Sequence, residues 1–390
     1  MLETARPAGA DRGYFAVAAP GLESITAREL SELGIGGAAS PGGATFSGNR
    51  AVLYRANLHL RTASRILVRL GAFHAAAFSE LRKKAGRLPW ESYLRPGQAV
   101  SIHATSHKSK LYHSGAVAER IAGAIADRLG AAPVIEKGSE EAEGPGPQLV
   151  IVRLVRDQVI ISLDASGALL HQRGYRLASG KAPLRETLAA GMLLAAGWDW
   201  ASPLIDPFCG AGTIAIEAAL LAKNKAPGRA RRFAFMSWPD YDAQLWTRLL
   251  AEAEAGIAHS PPPRIEASDR DAGAIAAAQA NAARAGVADS IHFTQRAVSD
   301  LTAPAGPPGW VVTNPPYGLR LSEHHDLRNL YARFGQVLRQ RCPGWHLALL
   351  SSDVRLEHAL GLALDEPRRL PLLNGGVRVS LVQSRIPVDH

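Results

Sequence analysis

Cysteine is scarce in this sequence, since the 390 residues contain only Cys209 and Cys342. The two are far apart and lack metal-ligand spacing, which excludes a disulfide framework and gives no sign of a structural zinc site. Long apolar runs are also lacking. The longest, around 187–198, ends at Asp199 before reaching the ~18 residues of a membrane span. The first residues, MLETARPAGADRG, contain no apolar core of a signal peptide. We therefore expect a cytoplasmic protein with no membrane contact and no bound metal.

Positive charge is in excess, and the excess lies in the first half. The formal net charge is +9; residues 1–180 contain 22 Lys and Arg against 15 Asp and Glu, which leaves 22 against 20 for the rest. Residues 50–110 contain 12 basic and 2 acidic side chains. Such a segment suits a polyanion, because each cation that displaces a condensed counterion from a phosphate favours binding. An ordinary solvated surface has the same composition, so charge alone leaves both interpretations open.

The first 170 residues show an α+β pattern. Residues 14–70 combine short apolar runs with one helical pattern at 21–33 and predict a small α+β unit. A second set of elements follows: a helix near 78–87, a strand at 98–106, a long helix near 113–129, and the strand pair LVIVRLVR and QVIISLDA. The polar run at 138–147 has too little apolar content to pack and predicts a loop.

From about residue 184 strands alternate with helices. The helical segments TLAAGMLLAAG and TIAIEAALLA flank the short strand PLID, and the later strands are IEASD (265–269), IHFTQ (291–295), WVVTN (310–314), HLALLSS (346–352) and VRVSLVQS (377–384). This alternation predicts a doubly wound, mostly parallel sheet. Ligands of such sheets bind at the carboxyl ends of the strands.

The first candidate site is DPFCGAGT, residues 206–213, between a strand and a helix. Gly210 and Gly212 allow a tight turn and a close approach of the backbone to a ligand, and the helix that starts at Thr213 offers unpaired N–H groups. Asp206 can pair with a cationic group such as the ammonium of S-adenosylmethionine (SAM). A purely structural turn would have the same sequence. Cys209 we interpret as a small residue rather than a nucleophile.

The second candidate is Asp269, the acid that ends the strand IEASD. A carboxylate in this place can accept both hydroxyls of a ribose, although a helix N-cap is an equal alternative. Asp269 follows Gly212 by 57 residues, whereas the usual separation is about 20. We therefore expect residues 223–262 to be an insertion, whose aromatic side chains pack rather than stack on bases.

The third candidate is the sequence NPPY at 314–317, directly after the strand WVVT. Two prolines stiffen the loop, so the Asn314 side chain and nearby carbonyls are held in fixed positions. These oxygens can accept hydrogen bonds from an aromatic amine, and Tyr317 offers a ring for stacking. A proline-rich loop that merely ends a strand is the alternative.

Three strand-end features in this order resemble the class I SAM-dependent methyltransferases that modify exocyclic amines. The resemblance extends over nearly the whole chain to the THUMP-containing guanine-N2 RNA methyltransferases, and within that group to the enzymes of 23S ribosomal RNA. The segments that carry it are KSKLYHSGAVAERI (108–121), HQRGYR (171–176), APLRETLAAG (182–191), DPFCGAGTIAIEAAL (206–220), the WP pair at 238–239, NPPYGLRL (314–321) and LYARFG (330–335).

The resemblance implies a ferredoxin-like region at 1–70, a THUMP RNA-binding domain at 71–170 and a Rossmann-like methyltransferase domain at 171–390. It implies a cofactor site for SAM formed by Asp206, Pro207, Phe208, Gly210, Ala211, Gly212, Thr213, Asp269, Arg270 and Val298. It implies a catalytic loop formed by Asn314, Pro315, Pro316 and Tyr317. For RNA contact we select Arg82, Lys83, Lys84, Lys108 and Lys110. Many relatives carry an acid near the adenine of SAM where this chain has Ala297, and Asp300 lies three residues further on.

The resemblance predicts formation of N2-methylguanosine, in ribosomal RNA in preference to transfer RNA. The sequence does not give the oligomeric state, and we favour a monomer. Transfer RNA is the nearest alternative substrate, because THUMP domains also occur in its enzymes. Loops of the NPPY type also serve methyltransferases of DNA adenine and of protein glutamine. The basic first half and the likeness to the THUMP domain together argue against both. An alternative of another class is a non-catalytic RNA-binding or assembly factor.

Overall fold

The computed structural model describes residues 12–137, 146–176, 184–317 and 324–388. The loop predicted at 138–147 lies outside them except for its last two residues. In chain order the strands and helices are β1 (Arg12–Ala18), α1 (Glu23–Glu32), β2 (Gly37–Ser40), β3 (Gly43–Gly48), α2 (Arg50–His59), β4 (Ala63–His74), α3 (Phe78–Ala85), β5 (Ala99–His107), α4 (Ser114–Leu129), β6 (Val134–Ile135), β7 (Gln148–Val155), β8 (Gln158–Asp164), α5 (Glu186–Ala196), β9 (Leu204–Asp206), α6 (Thr213–Ala222), α7 (Ala243–Ala255), β10 (Ile265–Asp269), α8 (Ala272–Ala285), β11 (Ile291–Gln295), β12 (Trp310–Thr313), α9 (His324–Arg341), β13 (His346–Ser351), α10 (Val354–Ala359), β14 (Leu370–Asn374) and β15 (Val377–Arg385).

The chain divides into two compact units. The first comprises residues 1–18, 26–170 and 228–252, and the second comprises residues 19–25, 171–227 and 253–390.

The first unit is built on an eight-stranded mixed sheet in the order β2-β3-β1-β4-β8-β7-β5-β6. Strand β4 pairs antiparallel with β1 on one side and with β8 on the other. The predicted boundary between residues 70 and 71 lies inside β4, so the two regions on either side of it share one sheet. We keep the predicted domain bounds as a proposal.

Residues 228–252 belong to the first unit although they interrupt the sequence of the second. The rings of Phe235 and Tyr54 stack with centroids 4.3 Å apart, and Trp238 Nε1 donates to Gln148 Oε1 at 2.7 Å. Asp240 accepts hydrogen bonds from the guanidinium groups of both Arg12 and Arg50. The aromatic residues predicted to pack rather than to stack on bases are all buried: Phe233, Phe235, Trp238 and Trp246.

The second unit is built on a seven-stranded sheet in the order β11-β10-β9-β12-β13-β15-β14. Strands β9 to β13 pair in parallel, and β15 pairs antiparallel with β13 and β14. Helix α6 is buried from Thr213 to Leu220, and its buried side chains are apolar apart from Thr213 and Glu217, as expected for a helix enclosed by other elements. The predicted doubly wound α/β fold after an α+β region is confirmed. Among the described residues, no helix is long and apolar enough to cross a membrane.

Candidate active site

The carboxyl ends of three neighbouring strands bring the predicted site residues to one edge of the second sheet. Asp206 ends β9, Asp269 ends β10, and Asn314 follows β12. Strand β9 lies between β10 and β12, and the strand order reverses at this point. Such a switch point leaves a crevice above the sheet where ligands bind. The topology therefore places the glycine loop, the strand-end acid and the NPPY loop together.

The glycine loop connects β9 to α6 in the way its sequence predicts. Gly210 and Gly212 have φ angles of +50° and +83°, the left-handed region that favours glycine, and α6 begins at Thr213. A Cβ at Gly212 would lie 2.9 Å from the Cβ of Ala278, so the backbone there also passes close to α8. Burial raises the pKa of the Cys209 thiol, which makes it a poor nucleophile.

Asp206 is a buried acid with no cation beside it among the described residues. Its Oδ1 accepts hydrogen bonds from Thr313 Oγ1 at 2.7 Å and from the Phe208 N–H at 3.3 Å. Burial raises the pKa of Asp206 to about 7, the nearby Asp269 adds to the rise, and the two hydrogen bonds oppose it. A buried carboxylate in this state gains from a cationic ligand, which fits an ammonium group.

Asp269 is tied to the glycine loop by its side chain. Its Oδ2 accepts the Gly210 N–H and its Oδ1 accepts the Asp271 N–H, each at 3.0 Å. A carboxylate oxygen has two lone pairs, so each oxygen can accept a further bond from a hydroxyl. The N-cap of α8 is Asp271, which accepts from the N–H groups of Gly273 and Ala274. The alternative of Asp269 as a helix cap is therefore wrong.

The remaining predicted cofactor residues lie around this loop. Phe208 packs edge-on against Phe334, with ring centroids 5.2 Å apart. Arg270 is exposed, and Val298 is half-buried against the core beside β12. Ala297 and Asp300 are both exposed. The assignment of Phe208, Arg270 and Val298 to the cofactor site stays a prediction.

The NPPY loop presents a buried acceptor with nothing bonded to it. The side-chain oxygen Oδ1 of Asn314 is buried and accepts no hydrogen bond from any described residue. A buried polar atom of this kind costs free energy unless a partner arrives. Pro315 is buried and Pro316 is exposed. The orphaned oxygen fits an incoming N–H donor.

Two residues that the sequence did not reveal hold the NPPY loop in place. Asn374, at the end of β14, donates from Nδ2 to the Tyr317 hydroxyl at 2.7 Å. Tyr331 on α9 donates from its hydroxyl to the Pro316 carbonyl at 3.4 Å. Burial raises the pKa of the Tyr317 phenol, which therefore stays protonated at neutral pH. Tyr331 belongs to the LYARFG segment of the resemblance, whereas no sequence signal points to Asn374.

A second missed set fastens the start of α6. Arg176 donates to the Thr213 hydroxyl and lies 3.4 Å from Glu186 Oε1, and Asn281 donates to the Ala211 carbonyl at 3.0 Å. All of these side chains are at least partly buried. Arg176 belongs to the segment HQRGYR, so the resemblance marked its position without a role.

The five side chains predicted to contact RNA differ in whether they already form an ion pair within the protein. Arg82 forms two hydrogen bonds with Asp127 at 2.7 Å, and Lys84 bonds to Glu80 in its own helix. The other three, Lys83, Lys108 and Lys110, are exposed and form no ion pair with described residues. The structure therefore favours these three as free cations. Across the described residues, no group of three His, Cys, Asp or Glu side chains could hold a metal ion.

Family models match nearly the whole chain. The RlmL ferredoxin-like domain matches residues 13–67, the THUMP domain residues 75–164, and the RMKL-like methyltransferase domain residues 173–383. These matches confirm the predicted class of enzyme, a class I methyltransferase with SAM as its methyl donor. The THUMP match confirms RNA as the class of partner.

Individual relatives agree with these models. The chain is 36% identical over 386 residues to "Putative RNA methyltransferase slr0064" of Synechocystis sp., covering 98% of this chain and 99% of that one. It is 39% identical over 384 residues to "Ribosomal RNA large subunit methyltransferase K/L" of Methylococcus capsulatus, covering 95% of this chain but 50% of the relative, so it spans about half of that protein. The crystal structure of SMU.472, "a putative methyltransferase complexed with SAH", superposes with a TM-score of 0.87 at 30% identity, covering 97% and 99% of the two chains. The chain belongs to the family of the RMKL-like methyltransferase domain.

Proposed function

We propose that this chain methylates the N2 amine of a guanine in 23S ribosomal RNA, with SAM as methyl donor. The observation that carries the proposal is Asn314 Oδ1, a buried acceptor without a donor at the carboxyl end of β12. An exocyclic amine supplies the missing N–H. Guanine and the ribosomal substrate are supported by the family resemblance and by the name of the K/L relative.

The residues of the crevice fit the cofactor. Asp206, a buried acid without a cation, would hold the ammonium, and Asp269, with spare lone pairs, would hold the ribose hydroxyls. The backbone of the loop from Pro207 to Gly212 and the start of α6 at Thr213 would enclose the rest, with Arg270 and Val298 at its border. When bound, SAM supplies an electrophilic methyl group on a sulfonium sulfur.

The NPPY loop would position the acceptor. Aromatic amines are poor nucleophiles, because their lone pair is delocalised into the ring. Asn314 Oδ1 and a loop carbonyl would accept the two N–H groups and orient the lone pair away from the plane of the base, an arrangement that lowers the entropic barrier. Tyr317, held by Asn374, would stack on the base. No side chain has to act as a strong base, since the methylated amine releases its extra proton readily.

The RNA would dock on the first unit, where Lys83, Lys108 and Lys110 are exposed. The target guanine would enter the crevice unpaired, because a base inside a helix cannot present its amine to the methyl group. We also propose a cytoplasmic location, where ribosomal RNA is assembled, and a monomeric chain.

The decisive experiment measures the product. The purified chain is incubated with labelled SAM and, separately, with 23S ribosomal RNA and transfer RNA from a strain that lacks the gene. Mass spectrometry of the nucleosides should detect N2-methylguanosine in the 23S pool alone. Label in transfer RNA would mean that transfer RNA, not 23S RNA, is the substrate. Label in adenosine would mean that adenine, not guanine, is the methylated base. No label in either pool would favour a non-catalytic RNA-binding factor.

A further inference from the structure

One aromatic side chain of the first unit is left in solvent. Tyr112 lies between β5 and α4 and exposes 69% of its surface, more than any other large apolar side chain among the described residues. The neighbouring His113 ring is also exposed, with its centroid 4.1 Å from that of Tyr112. A large apolar ring in water marks a surface that a partner covers more often than one that folding requires.

The backbone that carries Tyr112 is fixed. Leu111, the residue before it, is buried. Ser109 Oγ accepts the Asp157 N–H at 2.9 Å, and Asp157 Oδ1 accepts the Lys110 N–H at 2.7 Å. The segment is thus fastened to the turn between β7 and β8. A ligand that stacks on a ring held in this way loses little affinity to ordering of the protein.

The surroundings of the ring contain more cations than acids, and the nearby acid Asp157 is bonded to the Lys110 N–H. The sequence contains no Asp or Glu between Glu91 and Glu119. Lys108 and Lys110 are exposed, and so is Arg156 in the turn to which the segment is fastened. An apolar protein partner would gain nothing from these charges, whereas a phosphate backbone would. Single-stranded nucleic acids combine a base that stacks on aromatic rings with phosphates that pair with cations.

We propose that Tyr112 is a stacking platform for one unpaired base of the RNA, and that Lys108 and Lys110 hold the phosphates on either side of this base. The inference rests on the RNA-binding part of the proposed function. It adds a place of contact outside the crevice and a type of ligand, an unpaired nucleotide rather than a duplex. It also separates this segment from α3, where Arg82 and Lys84 are already bonded to acids.

The test uses the full chain without cofactor and two probes, an eight-nucleotide adenine RNA with one central 2-aminopurine and a 16-base-pair blunt RNA duplex. Binding of the single strand by the wild type should quench the 2-aminopurine fluorescence through stacking. Tyr112→Ala should abolish the quenching and weaken binding of the single strand by about fivefold or more. Tyr112→Phe should preserve both, because the ring alone stacks. Binding of the duplex should change by less than twofold.

Controls separate stacking from charge. Replacing both Lys108 and Lys110 by Ala should reduce the slope of log K against log salt by about 1.4 for the single strand. Val134 is an exposed apolar residue of the same unit, and Val134→Ala should leave both the fluorescence quenching and the salt slope unchanged.

Three results would overturn the proposal. They are wild-type quenching of 2-aminopurine by Tyr112→Ala, an equal loss of affinity of this variant for the single strand and the duplex, and no binding of the single strand by the wild type. The product assay on 23S RNA is independent. If that assay detects no N2-methylguanosine while Tyr112 still quenches the probe, the assignment of guanine methylation is wrong and the stacking proposal stands.

Discussion

The two units expose their functional groups to very different surroundings. In the second unit, Asp206 and the Asn314 oxygen are buried. Asp206 accepts two hydrogen bonds, and the Asn314 oxygen accepts none from the described residues. In the first unit, Lys83, Lys108 and Tyr112 lie in solvent. Buried groups interact strongly because little water screens them, whereas exposed charges are screened by salt and act additively. We therefore expect large single-atom effects in the second unit and small, salt-dependent effects in the first.

The largest effect is expected at Asn314. Asn314→Ala removes the orphaned acceptor and should lower kcat for methyl transfer by about 10²-fold to 10³-fold, the range seen when one preorganised hydrogen-bonding group is lost. Asn314→Asp keeps an acceptor oxygen and should retain more activity. SAM affinity, measured by calorimetry, should stay within about twofold for both variants, because the residue faces the base. Wild-type turnover by Asn314→Ala would refute the assigned role.

The next effect compares two glycines of one loop. Gly212→Ala would place a Cβ 2.9 Å from that of Ala278 at a φ of +83°, whereas a Cβ at Gly210 meets nothing within 4 Å. Both variants place an alanine in the left-handed region, which costs about 1 to 2 kcal/mol, but only Gly212→Ala adds a clash. Thermal unfolding without cofactor should therefore give a lower Tm for Gly212→Ala than for Gly210→Ala. Equal Tm values would contradict the close approach of the loop to α8.

A smaller effect follows from the pKa of Asp206 at about 7. Below this pH the free protein holds a proton on Asp206, and binding of an ammonium must release it. SAM affinity should therefore fall about tenfold for each pH unit below 7 and level off above it. Asp206→Asn keeps an oxygen for the Thr313 and Phe208 hydrogen bonds, and its affinity should be lower and independent of pH between 5.5 and 7.5. Calorimetry in buffers of different ionisation enthalpy would count the released proton.

The smallest effect distinguishes neighbouring cations of α3. Lys83→Ala should lower the salt slope of RNA binding by about 0.7 to 0.9 and weaken binding uniformly across sequences. Arg82→Ala should change the slope less, because its guanidinium already pairs with Asp127. Filter binding between 50 and 200 mM salt would measure both. A larger change at Arg82 than at Lys83 would mean that RNA displaces the Asp127 pair.

The sequence predicted the second unit more completely than the first. The strand at Ile265–Asp269 and the helix at Thr213–Ala222 have the predicted bounds. Strands β2 and β3 and helix α2 were missed, because Gly, Ala and Ser dominate the strands and several polar residues mask the helix.

Candidate site residues could be predicted where they lie next to a recognisable strand in the sequence. Asp206 and Asp269 each end a strand and Asn314 directly follows one, so local sequence marked all three. Asn374 and Arg176 contact the site from distant segments, and such long-range contacts leave no periodic pattern. The roles of individual site residues and the domain bounds stay predictions.

The stacking of Phe235 on Tyr54 has a consequence for synthesis of the chain. Tyr54 leaves the ribosome early, but its partner lies 181 residues later in the sequence. At a synthesis rate of about 5 to 20 residues per second, the segment that covers the apolar face around Tyr54 is made roughly 10 to 35 s after Tyr54. The first unit cannot complete its core during this time. We therefore expect nascent chains that end before residue 228 to engage chaperones, and chains that extend past residue 252 to be released from them.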